Sequence, residues 1–114
     1  MVILKVLQVL KTNRGASWAF NQASYLQKLG VEVVTVLPDE NDGNAARYKE
    51  LGMEVIAGDW RLPVTNPWKF FSRCKEIRKV VRNTAPDLIH LHFVTNVLMC
   101  RLALRRDYTP RLFQ

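Results

Sequence analysis

Long apolar runs are missing from these 114 residues. A membrane-crossing helix needs roughly 20 consecutive apolar residues, and nothing here approaches that length. The opening Met1-Val2-Ile3-Leu4-Lys5-Val6 has no basic region followed by an apolar stretch and a small-residue cleavage site. It reads as a first strand and not as a signal peptide. Cysteine is scarce: Cys74 and Cys100 are the only two, in no metal-ligand spacing. Free buried thiols in a cytoplasmic protein are the expectation, ahead of a disulfide. No internal repeat and no low-complexity segment is present. No acidic cluster accompanies the first strand, which argues against a phosphorelay receiver.

Acidic residues are also thin in the second half. Residues 1–60 hold 6 Lys/Arg and 7 Asp/Glu, whereas residues 61–114 hold 11 and 3. The net charge of +7 therefore lies almost wholly beyond residue 60. Such asymmetry points to an anionic membrane or to nucleic acid. No nucleic-acid motif accompanies the charges, and the aromatics cluster instead of interleaving with them, so a nucleic-acid partner is not expected. The apolar content of 48% is that of a folded domain, and the length suits one.

Residues 2–10 are nearly continuously apolar, as in a parallel strand buried on both faces. A turn-rich link follows, with Ser17 as the expected N-cap of a helix that Gly30 closes. That helix carries Trp18, Phe20, Ala23, Tyr25, Leu26 and Leu29 at mostly helical spacing. Val31–Leu37 is β-branched and stops at Pro38. A polar loop leads to a short helix over Ala45–Leu51, and Met53–Ala57 reads as strand three. Pro67 suits a helix start. The next helix is predicted over Trp68–Asn83, with Phe71, Cys74, Ile77 and Val81 as its apolar face. Leu88–His92 is strand four, Thr95 or Asn96 opens helix four, which runs to Arg105-Arg106, and Arg111–Gln114 resembles a strand cut short. Strands alternating with helices predict a doubly wound parallel α/β sheet with right-handed crossovers.

The most informative run is Pro86-Asp87-Leu88-Ile89-His90-Leu91-His92. Alternation along a strand puts His90 and His92 on one side. They lie at the carboxyl end of the strand, where open α/β sheets place their ligands. Histidine donates or accepts protons near neutral pH. With no Asp, Glu or Cys at useful spacing, the pair is not expected to hold a metal, and no cofactor is expected.

In order, these elements resemble the N-terminal domain of a GT-B glycosyltransferase of the large retaining family 4. The carriers are the first strand with its turn Arg14-Gly15-Ala16, Leu29-Gly30-Val31-Glu32-Val33, its echo Leu51-Gly52-Met53-Glu54-Val55, and the Pro86–His92 run. The resemblance spans essentially the whole chain. It implies a Rossmann-like sheet with helices on both faces, the N-terminal half of a GT-B fold, ending in strand five. Residues 1–114 would form one acceptor-side domain. The nucleotide-sugar donor would bind through a C-terminal domain or separate chain carrying a Glu-x7-Glu motif, so turnover is not expected from this chain alone.

The resemblance implies His92 at the donor–acceptor junction. Asn13, Arg14, Gly15, Ser17 and His90 are the candidates for touching an acceptor or phosphate, because a glycine turn before a helix can present free N–H groups. His90, deeper in the strand, also suits a structural role. Trp60 and Trp68 flank a loop on the cleft side, where tryptophan either stacks on a sugar or packs into the core. Helix three carries Lys69, Arg73, Lys75, Arg78, Lys79 and Arg82 against one Glu76, with Trp68 at its start. That composition suits the inner face of an anionic membrane and a glycan or lipid-linked acceptor. Leu112 and Phe113 on an unfinished sheet edge are candidates for pairing with a second copy. Two other readings stand beside the enzyme: a non-catalytic binding or membrane-anchoring subunit of a split GT-B enzyme, and a stand-alone flavodoxin-like binding module.

Overall fold

Each of the expected apolar runs forms a strand, and each intervening amphipathic stretch a helix. The structure, a computed structural model, describes residues 4–15, 17–63, 65–105 and 109–113. Strands β1 (Lys5–Val9), β2 (Glu32–Leu37), β3 (Glu54–Ala57), β4 (Leu88–Leu91) and β5 (Arg111–Phe113) alternate with helices α1 (Ser17–Lys28), α2 (Ala45–Glu50), α3 (Pro67–Thr84) and α4 (Val94–Ala103). The strands form one parallel sheet in the order β3-β2-β1-β4-β5. The chain winds from β1 to one edge, then crosses back to β4. The switch point, where doubly wound sheets leave a crevice, lies between β1 and β4.

Residue parity divides the sheet into two unlike faces. Leu7, Val9, Val34, Val36, Ile89 and Leu91 pack against Cys74 and Ile77 of α3 and Met99 and Cys100 of α4. That face is apolar throughout. Val33, Leu37 and Leu10, just past β1, pack against Ala19 and Ala23 of α1 and Ala45 and Tyr48 of α2. The centre of this second face is polar: Thr35, Gln8 and His90 are paired across β2, β1 and β4, and all three are buried. Small alanines on α1 let that helix sit close over them.

The Pro-Asp of the informative run has a structural task. Asp87 Oδ2 accepts from the Lys5 amide at 2.8 Å, and the Asp87 amide donates to the Lys5 carbonyl at 2.8 Å. This sets β4 in register on β1 at their amino ends. Asn66 caps α3, its Oδ1 accepting from the Trp68 amide at 2.9 Å, with Pro67 in the first helical position. At the other end of α3, Ala85 takes a left-handed conformation with φ 48°.

Three expectations are corrected. Ser17 is the first helical residue of α1 and not its cap. Helix four starts at Val94 and ends at Ala103, with Asn96, Met99, Cys100 and Ala103 buried; Arg106 lies outside the described residues. Of the two alternatives for Trp60, the structure takes the packed one, in the core cluster with α3 and α4. On α3, the core row is Phe70, Cys74, Ile77, Val81 and Thr84, while Phe71 is 62% exposed. A row starting at 70 advances by four, three, four and three residues, which follows the helix period more closely than one starting at 71.

This difference is measurable. Ile77→Ala is expected to lower unfolding free energy by about 2–5 kcal/mol by leaving a cavity. Phe71→Ala is expected to change it by no more than about 0.5 kcal/mol, as an exposed site. Urea denaturation midpoints of the two variants decide between the rows.

Candidate functional site

At the carboxyl ends of β1 and β4 the polar stripe comes to the rim. His92 follows β4 directly and is fully buried. Its main chain is held from both sides: the amide donates to the Val9 carbonyl at 3.2 Å, and the carbonyl accepts from Asn96 Nδ2 at 2.9 Å. Its ring lies 4.2 Å from that of His90, centroid to centroid. Its Nε2 is 3.3 Å from Gln8 Nε2. Gln8 Nε2 also donates to the Ala19 carbonyl at 3.2 Å, and Gln8 Oε1 accepts from Thr35 Oγ1 at 3.3 Å. His92 Nδ1 and Asn96 Oδ1 are buried and have no hydrogen-bond partner.

Burial, and secondarily the charge of a protonated His90, pushes the His92 pKa down to about 4. The ring is therefore neutral across the physiological range. Phe93, the next residue, has φ 76°. A non-glycine side chain there costs on the order of 1–3 kcal/mol, and persists where surrounding structure dictates it. Trp18, from the first turn of α1, sets its indole edge-on to the His92 ring at 4.8 Å while remaining 48% exposed. Lys11 Nζ stands 4.7 Å over the Phe93 ring. The rim thus combines a neutral buried imidazole, an exposed indole and a cation.

The β1–α1 turn is built by contacts that reach to the loop after β2. Asn13 uses its side chain structurally: Nδ2 donates to the carbonyls of Asp39 and Asp42, and Oδ1 accepts from the Asp39 amide at 2.8 Å. Gly43 seats against this anchor so closely that a Cβ would lie 2.2 Å from the Asn13 carbonyl oxygen. Arg14 is exposed and pairs loosely with Asp42 at 3.8 Å. Gly15 has φ 69° with open space where a Cβ would stand, and its carbonyl accepts from Asn44 Nδ2 at 2.6 Å. Ser17 is exposed at the start of α1. His92, His90 and Trp18 are gathered at one point. Asn13 instead ties two loops together, and Arg14 turns to Asp42.

On the other face of the sheet, at the same end, Asp59 gathers cations. Arg61 Nη2 and Arg73 Nη2 approach its Oδ2 at 2.8 and 3.3 Å, and the hydrogen bond from Arg61 holds the carboxyl below its usual range. Arg73 also donates to the Arg61 carbonyl. It is thereby drawn off the outer surface of α3. Arg78 reaches the Ala103 carbonyl at 3.4 Å. Lys75, Lys79 and Arg82 are exposed, with Trp68 81% exposed. Spaced by three, four, four and three residues, Trp68, Phe71, Lys75, Lys79 and Arg82 form one outward stripe on α3.

Sequence reasoning missed Gln8, Trp18 as a cover for His92, and Asn96. Gln8 carried a signal, being the one polar residue between Val6 and Leu10. Trp18 looked like an ordinary core position of an amphipathic helix.

The parallel strand order, with its switch point between β1 and β4 and a histidine at the exit of β4, is that of a Rossmann-like domain of the kind that forms the N-terminal half of GT-B glycosyltransferases. The family model described as glycosyl transferase 4-like matches residues 5–113, and the chain belongs to that family. No curated protein matches it. Among solved structures, a glycosyltransferase from Rickettsia africae superposes with a TM-score of 0.78 at 16% identity, over 99% of this chain and 30% of that one. MurG from Acinetobacter baumannii superposes at 0.70 and 18%, over 96% of this chain and 34% of that one. The C-terminal domain of the PF1911 hydrogenase from Pyrococcus furiosus superposes at 0.71 and 13%, over 100% and 95%. These likenesses are of fold, and the chain spans about a third of the length of the two transferases.

The depressed His92 pKa makes stability depend on pH. The folded ring protonates near pH 4 and the unfolded ring near 6.5, so the unfolded chain binds more protons between those values. Stability present above pH 6.5 is lost as pH falls towards 4, by about 3 kcal/mol for this group. His92→Gln is expected to remove that part of the slope, read as the change in urea midpoint between pH 7 and 4.5.

Proposed function

We propose that this chain is the acceptor-binding part of a retaining glycosyltransferase, with the nucleotide-sugar donor held by a further domain or a separate chain. The observation that carries the reading is His92: fully buried, held by its main chain at both ends, and set directly after β4 beside the switch point of a glycosyl transferase 4-like domain. At the rim, a neutral imidazole offers hydrogen bonding to sugar hydroxyls or phosphate oxygens without adding charge. Lys11 supplies a cation beside it, and the exposed indole of Trp18 offers a face for a sugar ring. The open space beside Gly15 leaves room for a ligand to approach the main chain.

The reading has a direct test. In the complete transferase, donor domain included, His92→Ala is expected to lower turnover by about 10²–10³-fold, the loss typical of one hydrogen-bond donor at a reacting centre. Far-UV circular dichroism should remain native. Turnover within about twofold of wild type, where removal of a reacting-centre donor costs far more, would remove His92 from the mechanism.

The outward stripe of α3 supports a second element, contact with an anionic membrane. A helix that follows a parallel strand begins at the carboxyl end of the sheet, so Trp68 and Phe71 lie at the same end as His92. Lys75, Lys79 and Arg82 continue the stripe away from it. Aromatics at the interface and cations over anionic headgroups are the two forces that hold a peripheral helix on a bilayer, at about 1 kcal/mol per cation. A lipid-linked acceptor would then be presented at the rim. Among the described residues no helix is long and apolar enough to cross a membrane. Co-sedimentation with vesicles containing phosphatidylserine should fall at least tenfold in a Lys75/Lys79/Arg82→Gln variant and weaken with salt, since three such contacts are worth about 3 kcal/mol. Equal sedimentation with neutral vesicles would count against it.

A further inference from the structure

We infer that Gln8 is a positioning residue that locks His92 into its neutral Nδ1–H tautomer, making the ring a hydrogen-bond donor to substrate and not a base. This rests on the proposal that His92 faces the substrate.

The Ala19 carbonyl has no proton to give, so the Gln8 atom 3.2 Å from it is the amide nitrogen. That assignment fixes the Gln8 Oε1 on the opposite side, where Thr35 Oγ1 at 3.3 Å donates to it. The amide nitrogen carries two protons. One goes to Ala19; the other points at His92 Nε2, 3.3 Å away. A donor faces that ring nitrogen, so the nitrogen must accept. A neutral imidazole that accepts at Nε2 carries its proton at Nδ1.

The remaining geometry fits this assignment. Nδ1 is the buried ring atom without a hydrogen-bond partner, so the proton lies on the nitrogen that no protein group engages. An unpaired buried donor costs about 1–3 kcal/mol, a cost that a substrate oxygen relieves on binding. Protonating Nε2 would set two donors against each other. The charged and titratable groups around the ring are His90 on β4 at 4.2 Å and, on the segment after β1, Lys11 over the neighbouring Phe93. Burial, and secondarily His90, disfavours a positive charge on the His92 ring. Trp18, from α1, contributes an aromatic edge. The buried line Thr35–Gln8–His92 thus runs across β2, β1 and β4. The Ala19 carbonyl orients the Gln8 amide, and that amide in turn sets Thr35 as donor and His92 Nε2 as acceptor.

The test reads the tautomer directly and needs no turnover. The chain has only two histidines, so long-range 1H–15N correlation spectra of the 15N-labelled chain resolve both rings, and His90→Gln assigns them. Wild-type His92 is expected to show a protonated, pyrrole-like Nδ1 and a bare, pyridine-like Nε2 from pH 8 to about pH 5, consistent with protonation only near 4. Gln8→Met, which removes the donor but keeps the volume, should leave a mixture of the two tautomers. Gln8→Glu, which places an acceptor opposite Nε2, should move the proton to Nε2 and raise the protonation midpoint by about 1–3 units. Should Gln8→Glu fail to fold, the wild type and Gln8→Met still decide. A wild-type ring protonated at Nε2, or a Gln8→Met ring still wholly in the Nδ1–H form, overturns the inference. Loss of turnover on His92→Ala is a separate outcome. An Nδ1–H ring in an enzyme indifferent to that substitution would sink the functional reading and leave the tautomer lock intact.

Discussion

The fold is organised around a buried amide that must find its partners inside the protein. Gln8 sits in the middle of the central strand, with main-chain ladders on both sides and α1 over it. An unsatisfied buried amide costs several kcal/mol relative to water, enough to erase a large share of a small domain's net stability. Each of its three hydrogen bonds constrains a different element. Ala19 brings in α1 at close range, which requires small residues on that helix face, and Ala19 and Ala23 supply them. Thr35 ties in β2, and His92 ties in the exit of β4. A slip of one residue in any of these pairings would turn the polar row to the apolar face beneath α3 and α4. The polar row therefore selects register and helix placement, while the opposite face supplies most of the apolar burial.

That division explains what was legible in the amino-acid order. Elements came through because period and punctuation agree: the β-branched run 31–37 before Pro38, the glycines 30 and 52 after helices, and Pro67 at a helix start. The two histidines on one side of β4 followed from alternation alone. The errors arose where two apolar residues are adjacent and only packing chooses between them. Phe70 and Phe71 are the clear case, since the row that reaches Cys74, Ile77 and Val81 by the helix period begins at Phe70. Trp60 is a different case: a loop tryptophan suits core or ligand, and here it takes the commoner place, in the core.

The candidate site was less legible, for a different reason. His92 stood out by residue type and by its place at a strand's end. Its surroundings did not, because Gln8, Trp18 and Asn96 come from three other parts of the chain, brought together by parallel pairing of β1 with β4. Asn13 illustrates the converse. Its polar side chain beside a glycine turn has the appearance of a ligand contact, yet the loop at 39–44 claims three of its hydrogen bonds. Nothing local to residues 11–17 announces that loop. Polarity in a turn records a demand for hydrogen bonds; where the demand is met depends on segments distant in sequence.

The rim also separates rigidity from access. His92 is anchored through Val9 and Asn96 on its main chain and Gln8 on its ring, and Phe93 is held in a strained conformation directly after it. These restraints come from a strand exit and from the first turn of α4, elements tied into the sheet. Trp18 covers the ring by edge contact alone, from the first turn of a helix and with half its surface in water. Helix ends open at lower free energy than strands in a sheet centre. The cover is consequently the softer part, and the donor beneath it the stiffer. A ligand oxygen that reaches Nδ1 meets a hydrogen already aimed. The ordering of the donor was completed when the chain folded, so binding has little orientational entropy left to lose. A buried histidine held by a glutamine suits that arrangement better than an exposed one, whose freedom and charge would both vary with pH.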